Sequence, residues 1–168
     1  MSSKEKLSSR TQFNLHLISG TLPNDFKMVF HGVKIPTKLR LLDVIISCPN
    51  TNEFPRILQE IASSDLIFIC NHDTLVEVTS SLLNYVNLHT VFLLTDQKDP
   101  AWSAELKNRQ IQLVSVPDER ELMIRLYLEA VNCYYDQGKK YQRGENHGLS
   151  DFRLRCAEDA LEQARLTC

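Results

Sequence analysis

The sequence has little excess charge and no long apolar run, and both absences narrow the classes of protein it can represent. Its 168 residues carry a formal net charge of −2 and a pI of about 6.2. Such a balance gives no electrostatic case for a protein that binds nucleic acid or membrane surfaces by itself. No apolar run approaches the roughly 18 residues of a membrane-spanning helix, and the polar start MSSKEKLSSRTQ lacks the apolar core of a signal peptide. We therefore expect an intracellular protein, nuclear or cytoplasmic, without a membrane span or direct contact with nucleic acid.

Paired cysteines are also absent. The five cysteines are widely spaced and odd in number, and no two of them form a C-x-x-C motif. A disulfide framework or a zinc site needs closer, paired spacing. We expect reduced thiols, with Cys48 and Cys70 as buried structural residues at the ends of apolar strands rather than as nucleophiles.

The hydrophobic pattern predicts one α/β domain. With 43% hydrophobic residues the chain can build a sizeable core. Apolar runs typical of buried strands alternate with segments whose apolar residues recur every three or four positions, as on a helix. This alternation predicts a three-layer domain over 13–135, with a mostly parallel sheet and helices on both faces. The predicted strands are 13–19, 26–35, 38–47, 65–70, 89–96 and 111–116, the first two forming a hairpin at one edge, and the predicted helices are 53–61, 73–87, 100–109 and 118–135.

The two ends of the chain differ from the domain between them. Residues 1–12 are predicted to be a disordered tail, and the polar segment DQGKKYQRGENHG (136–148), which holds three of the five glycines, is predicted to be a linker. A C-terminal helix over 149–168 follows, with Ser150 or Asp151 as its N-cap. Whether this helix packs on the body or on a partner is left open. Its predicted apolar stripe consists of Leu154, Ala157, Leu161 and Ala164.

The tripeptide Asn71-His72-Asp73 follows a predicted strand, at the sheet edge where open α/β proteins place their active sites. It has two interpretations. The residues form a catalytic cluster, or Asp73 or Thr74 caps the next helix and His72 fills the loop. We favour the second.

Three stretches resemble the nucleotide motifs of Ras-like small GTPases. IISCPNTNEF (45–54) resembles the third-strand motif, in which Asp-x-x-Gly follows an apolar strand and a Phe comes shortly after. VFLLTDQKD (91–99) resembles the strand that carries the Asn-Lys-x-Asp guanine motif, and IQLVSVPDE (111–119) resembles the strand that ends in Ser-Ala-Lys. The resemblance covers 38–135 and implies a Ras-like, Rossmann-like fold.

The position of the phosphate loop departs from this family. After the first predicted strand the chain reads GTLPNDFK (20–27). Gly20 stands for the first Gly of the loop, Asp25 for the second and Phe26 for the Lys. An aspartate repels phosphate and a phenylalanine cannot neutralise it, so this loop is not expected to bind a nucleotide.

The other motifs have lost most of their nucleotide-contacting residues as well. Because the losses occur together, the resemblance implies a pseudo-GTPase with no catalysis, cofactor or metal. In the third-strand motif, Ser47 replaces the metal-linked Asp, Asn50 replaces the Gly and Thr51 replaces the water-orienting Gln. In the guanine motif, Asp96 replaces the Asn and Asp99 is retained. In the last motif, Ser115 is retained and Pro117 replaces the Lys.

Three families that work without nucleotide hydrolysis share features with the chain. DLIFICN (65–71) and GLSDFRLRCAEDAL (148–161) resemble centromere protein M, a kinetochore subunit that uses the fold as a docking body. VIISCPNTNEF (44–54) resembles the adaptin-binding chaperones of clathrin-adaptor subunits. VSVPDERELMIRLYLEA (114–130) resembles inactive XPF/ERCC1-like subunits of meiotic heterodimers, which hold branched DNA. We favour the first because it also accounts for the C-terminal helix.

The expected function is therefore docking of protein subunits in a larger complex, as an obligate hetero-oligomer. Aromatic residues are enriched at protein interfaces, and the C-terminal helix is a second candidate surface. The candidate partner-binding residues are Trp102, Tyr134, Tyr135, Phe152, Leu154 and Leu161.

Overall fold

The strands form one parallel sheet. The structure, a computed structural model, describes residues 25–41, 44–96, 106 and 108–168. Within these residues the sheet has the order β2-β1-β3-β4-β5, and every neighbouring pair is parallel. The strands are β1 (Phe26–His31), β2 (Ile45–Cys48), β3 (Asp65–Cys70), β4 (Leu88–Leu94) and β5 (Gln112–Val116). The parallel sheet of the predicted fold is confirmed.

Helices cover both faces of the sheet, which completes the three predicted layers. Side chains along the strands alternate between the faces, as the pleat requires. Phe30 and Ile69 join a core with the long C-terminal helices, whereas Val29 and Phe68 join a separate core with the two shorter helices. The helical elements are a 3-10 turn (Thr51–Glu53), α1 (Phe54–Glu60), α2 (His72–Leu83), α3 (Glu119–Arg143) and α4 (His147–Thr167).

The predicted hairpin at the sheet edge is wrong. Strand β1 lies between β2 and β3, so both of its edges are already paired. Local apolar runs identify strands but do not give their order in the sheet. The predicted strand at 13–19 and the predicted tail at 1–12 lie outside the described residues, as does most of the predicted helix at 100–109.

The helix that follows β2 carries its predicted apolar stripe, because Phe54, Ile57, Leu58 and Ile61 are all buried. The start of α2 differs from the prediction. Its N-cap is Asn71, whose side-chain oxygen accepts the Thr74 N–H at 2.9 Å, while the Thr74 hydroxyl accepts the Asn71 N–H. This reciprocal capping box satisfies two N–H groups at the helix end. None of the helices in the described part of the chain is long and apolar enough to cross a membrane.

The predicted linker at 136–148 is mostly helix. Helix α3 continues to Arg143, and only Gly144–Asn146 separates it from α4. Gly138 lets the two helices approach closely, because a Cβ there would lie 2.9 Å from Leu154 Cδ2. The Ser150 hydroxyl donates to the Gly138 carbonyl at 2.8 Å, and Asn146, rather than Ser150 or Asp151, caps α4.

Helix α4 packs on the body, which decides the question that the sequence left open. Its buried stripe is built largely from alanine, whose small side chain allows the close approach to α3. Leu161 was predicted to belong to this stripe but is 53% exposed. The buried residues of α4 are Ser150, Arg153, Ala157, Ala160 and Ala164.

Candidate functional site

The first candidate site is the crevice at the carboxyl ends of β1 and β3. Ligands of open α/β sheets bind where the strand order reverses, and in the order β2-β1-β3-β4-β5 this point lies between β1 and β3. The residues that follow these two strands are Gly32 and Asn71. A bound ligand would therefore meet the backbone of Gly32 and the first turn of α2.

The protein fills this crevice with its own side chains. Asn71 Nδ2 donates to the Gly32 carbonyl at 2.8 Å, and the Thr74 hydroxyl lies 3.0 Å from the His31 carbonyl oxygen. Gly32 has a φ of +74°, and a Cβ at this position would lie 2.3 Å from Thr74 Cγ2. The first turn of α2 is thus joined to the end of β1 where a ligand would otherwise lie.

A second polar network lies beside the crevice and was missed from the sequence. The His31 ring is buried, with 4% exposed, and its Nδ1 donates to the Cys48 carbonyl at 3.0 Å. Its Nε2 lies 3.2 Å from Thr51 Oγ1, and the Thr51 hydroxyl donates to Glu77 Oε2 at 2.5 Å. In the sequence, His31 is a single histidine at the end of an apolar strand, and this could have marked it as a candidate. Nothing in the sequence indicates that it lies near Glu77.

This network joins three elements. Thr51, in the 3-10 turn, lies between His31 of β1 and Glu77 of α2. The His31 ring also stacks on Phe54, with 6.3 Å between ring centroids. The network therefore fixes the 3-10 turn and α2 against β1.

The tripeptide after β3 forms the start of α2. Asn71 caps α2, and the side chains of His72 and Asp73 are exposed, with His72 Nδ1 3.8 Å from Asp73 Oδ1. Among the residues that the structure describes, no group of three His, Cys, Asp or Glu side chains is placed to hold a metal ion.

The described motif positions at β2, β4 and β5 lie in the last residues of these strands or just after them, and so share the carboxyl edge of the sheet. Asn50 accepts the Glu53 N–H at 3.1 Å and caps the 3-10 turn. Thr51 belongs to the His31 network described above. Ser47, Asp96, Ser115 and Pro117 are exposed, and Gly20 and Asp99 lie outside the described residues.

Asp25 and Phe26 do not lie at the position of a phosphate loop, so the comparison of GTLPNDFK with that loop was wrong. They lie at the amino edge of the sheet, where Phe26 begins β1. The error arose because 13–19 was taken as the first strand, so that its following loop was compared with the phosphate loop. Phe26 is fully buried and meets Tyr134 edge-on, with 5.0 Å between ring centroids.

The Asp25 carboxylate instead anchors the α3–α4 hairpin, the pair of helices Glu119–Arg143 and His147–Thr167, to β1. Its Oδ1 accepts from the Phe26 N–H at 2.9 Å, Gln137 Nε2 at 3.2 Å and Arg153 Nη2 at 3.5 Å. Arg153 is only 5% exposed, so this ion pair is largely removed from water.

Three of the described cysteines, Cys48, Cys70 and Cys133, have the properties of structural residues. Cys48 and Cys70 are buried as predicted, and burial raises the pKa of both thiols. Burial also raises the pKa of Cys133 to about 12. Since the thiolate is the nucleophile, these three groups are poorly suited to covalent catalysis at neutral pH. Cys168 is exposed.

The second candidate site is a partly exposed apolar stripe on the α3–α4 hairpin. Tyr135 is 46% exposed and Leu128 42%, and their spacing of seven residues places them on one side of α3. Leu154 is half-buried and lies two turns from the exposed Leu161 on α4. We call Ile124, Leu128, Tyr135, Leu154 and Leu161 the hairpin stripe.

The remaining predicted partner-binding residues have different environments. Tyr134 is buried, 7% exposed, and packs between Phe26 and the Arg153 guanidinium, so it belongs to the core rather than to a surface. Phe152 is half-buried, and the same guanidinium lies 5.7 Å from its ring centroid. Trp102 lies outside the described residues.

Comparison with known proteins gives no relative. No protein-family model, no curated protein and no solved structure matches this chain. What the chain does must therefore be argued from its own residues.

Proposed function

We propose that this protein is a non-catalytic scaffold of the pseudo-GTPase type, which docks partner proteins in a larger complex through the hairpin stripe. One observation carries the proposal. The crevice in which doubly wound sheets bind ligands is occupied by Asn71 and Thr74, while large apolar side chains of the α3–α4 hairpin are exposed.

The filled crevice supports a function without nucleotide. Phosphate groups bind to free N–H groups at a helix N-terminus, and in α2 the Asn71 side chain already accepts the Thr74 N–H. In the described part of the connection from β1 to β2, residues 32–41 and 44, no helix follows β1 to offer a second N-terminus. The loss of the nucleotide-contacting motif residues at the same edge of the sheet also supports a function without nucleotide.

The hairpin stripe supports docking of a protein. The cores of protein interfaces are enriched in aromatic and large apolar side chains and poor in charges. Leu161 and Leu128 are both more than two-fifths exposed, and the Tyr135 ring is covered only in part by Lys139, whose Nζ lies 4.6 Å from the ring centroid. Covering this stripe with a partner would remove apolar surface from water, which favours association.

The complex that we propose is the inner kinetochore, in the nucleus, because the resemblance to centromere protein M extends into α4. The adaptin-binding chaperone and the XPF/ERCC1-like subunit are the alternatives, and each has different partners. Clathrin-adaptor subunits would indicate the first alternative, and recombination proteins would indicate the second.

Affinity purification of the tagged chain with quantitative mass spectrometry tests the proposal. We expect kinetochore subunits to co-purify with the wild-type chain and to be reduced about tenfold by Tyr135→Ser, since truncating an aromatic interface residue often costs that much affinity or more. Gln142→Ser, at an exposed position of the same helix, is the matched control and should retain them. Equal recovery with both variants would show that the hairpin stripe is not the docking surface.

A further inference from the structure

A groove runs along α4, between this helix and the connection from β1 to β2. It consists of two cavities, of about 860 Å³ and 630 Å³, whose walls share Thr37, Arg40 and Gln163. The two cavities together extend along α4 from Cys156 to Thr167, which is about 16 Å of helix. An extended peptide of about five residues has this length.

The larger cavity is positively charged. Its charged lining residues are three cations and one carboxylate, namely Lys38, Arg40, Arg120 and Glu119. This leaves an excess of two positive charges in a chain whose net charge is −2. In the part of the chain that the structure describes, neither Lys38 nor Arg40 forms an ion pair, and Glu119 pairs with none of the three cations.

Arg120 already has partners within the protein. Its Nε donates to the Thr167 carbonyl at 3.2 Å, and its Nη2 donates to the Cys168 carbonyl. Arg120 therefore holds the last turn of α4 and adds to the positive potential of the cavity. The side chains available to pair with a ligand are those of Lys38 and Arg40.

The backbone that carries Lys38 and Arg40 is fixed in place. The Leu39 N–H donates to the Pro36 carbonyl at 3.1 Å, and the hydroxyl of the buried Tyr127 accepts the Arg40 N–H at 3.0 Å. Leu39, between the two cations, is buried in the core. Because the connection is already ordered, a ligand does not have to immobilise its backbone on binding.

The smaller cavity has a different character. Its walls include the buried residues Leu39, Leu41, Tyr134 and Ala160. The carboxylates of Asp159 and Glu162 also line it, and Arg165 donates to both carboxylate oxygens of Glu162, at 3.0 Å and 2.6 Å. Asp159 would repel an acidic side chain, whereas the apolar wall suits an apolar one. The groove therefore favours negative charge at one end and an apolar group at the other.

We propose that this groove binds an extended acidic segment of a partner protein. Carboxylates of the segment pair with Lys38 and Arg40, and a neighbouring apolar side chain enters the smaller cavity. Charge complementarity selects such a partner over a neutral or basic one, and the length of the groove suits an extended chain. The inference rests on the proposed function, because it adds a second contact to a docking scaffold.

Fluorescence anisotropy of the full chain with the labelled peptide LLEEDELL tests the inference. Leucines at both ends of the peptide serve either chain direction, and LLQQNQLL is the uncharged control peptide. We expect saturable binding of LLEEDELL at low salt, weakening as salt is added, and no saturable binding of LLQQNQLL. The double reversal Lys38→Glu/Arg40→Glu should weaken binding about tenfold, because two charge pairs of the contact are lost.

The double reversal Lys140→Glu/Arg143→Glu is the matched control. It also replaces one exposed lysine and one exposed arginine, but near the end of α3 at the hairpin turn, and it should bind LLEEDELL like the wild type. A urea unfolding midpoint close to that of the wild type establishes that each variant is folded.

Three results of the peptide titration would overturn the inference. They are no saturable binding of LLEEDELL to the wild type up to about 1 mM, equal binding of LLQQNQLL, and equal losses in the two double variants. Calorimetric titration with inorganic phosphate tests the other occupant. Phosphate binding that depends on Lys38 and Arg40, without peptide binding, would assign the groove to a small anion and would also overturn the inference.

Failure of this inference can be told apart from failure of the proposed function. A chain that does not bind LLEEDELL but still co-purifies subunits in a Tyr135-dependent manner loses the acidic segment and keeps the scaffold. Peptide binding with the expected charge dependence, but with no co-purifying subunit, removes the scaffold in a larger complex and leaves the groove.

Discussion

Asp25→Ala is expected to lower the free energy of unfolding by about 3 kcal/mol, because it leaves the buried Arg153 guanidinium without its carboxylate. The Asp25 side chain is 13% exposed and that of Arg153 6%, so water can compensate neither charge well. The same substitution removes the acceptor for Gln137 Nε2 on α3. The attachment of the α3–α4 hairpin to β1 should therefore weaken.

Urea unfolding followed by far-UV circular dichroism measures this effect, and a double variant separates its causes. Asp25→Ala combined with Arg153→Met should be more stable than Asp25→Ala alone, since the uncompensated charge is then removed with its partner. If Asp25→Ala alone stays within about 0.5 kcal/mol of the wild type, as a typical surface substitution does, the ion pair does not hold the hairpin.

Gly32→Ala is expected to destabilise the protein by about 3 kcal/mol, through strain and overlap together. A φ of +74° costs an alanine roughly 1–2 kcal/mol. Its Cβ would lie 2.3 Å from Thr74 Cγ2 and 3.0 Å from Asn71 Nδ2, and overpacking of this kind typically adds about 1–3 kcal/mol. The substitution would push the first turn of α2 away from β1 and open the filled crevice.

Gly144→Ala is the matched control for this substitution. Gly144 has an ordinary φ of −81°, and a Cβ there would come no closer than 3.6 Å, to the Lys140 carbonyl. We expect the free energy of unfolding to stay within about 0.5 kcal/mol of the wild type. Any increase would come from the lower conformational entropy of the unfolded chain. Thr74→Ser should recover part of the loss in Gly32→Ala because it removes the nearest methyl group. Equal costs for the two glycine substitutions would contradict the close packing at Gly32.

The sequence predicted the layers of this fold better than the order of its strands. Continuous apolar runs such as DLIFIC identified β3 to the residue, because a strand buried on both faces has no polar interruption. The place of β1 between β2 and β3 depends on pairing of Phe26–His31 with residues 39 positions later in the chain, which no local pattern encodes. This is why Asp25 was compared with a phosphate loop at the wrong edge of the sheet.

The turn region of the α3–α4 hairpin was predicted wrongly, because the polar composition of 136–148 was taken to indicate a linker without secondary structure. Residues 136–143 are mostly charged or amide side chains, yet they continue α3, with Gln137 and Gly138 buried against α4. The close contact depends on Gly138 having no side chain to meet Leu154. A glycine in a polar segment is compatible with a loop and with a close helix contact, and only the three-dimensional packing distinguishes them.

The residues of the crevice were visible in the sequence, but their arrangement was not. Asn71 and Thr74 were recognised as lying near a helix start, and a capping box is a local pattern. Their bonds to the carbonyls of Gly32 and His31 cross 39 and 43 positions of the chain. The filled crevice is therefore a property of the fold, and it carries the proposal that this scaffold acts without nucleotide.

Titration of the full chain with a fluorescent guanine nucleotide in the presence of Mg²⁺ tests this claim most directly. The filled crevice and the lost motif residues predict no saturable change in fluorescence polarisation at nucleotide concentrations well above the micromolar range. A saturable curve with a micromolar dissociation constant, abolished by excess unlabelled GTP, would contradict the account.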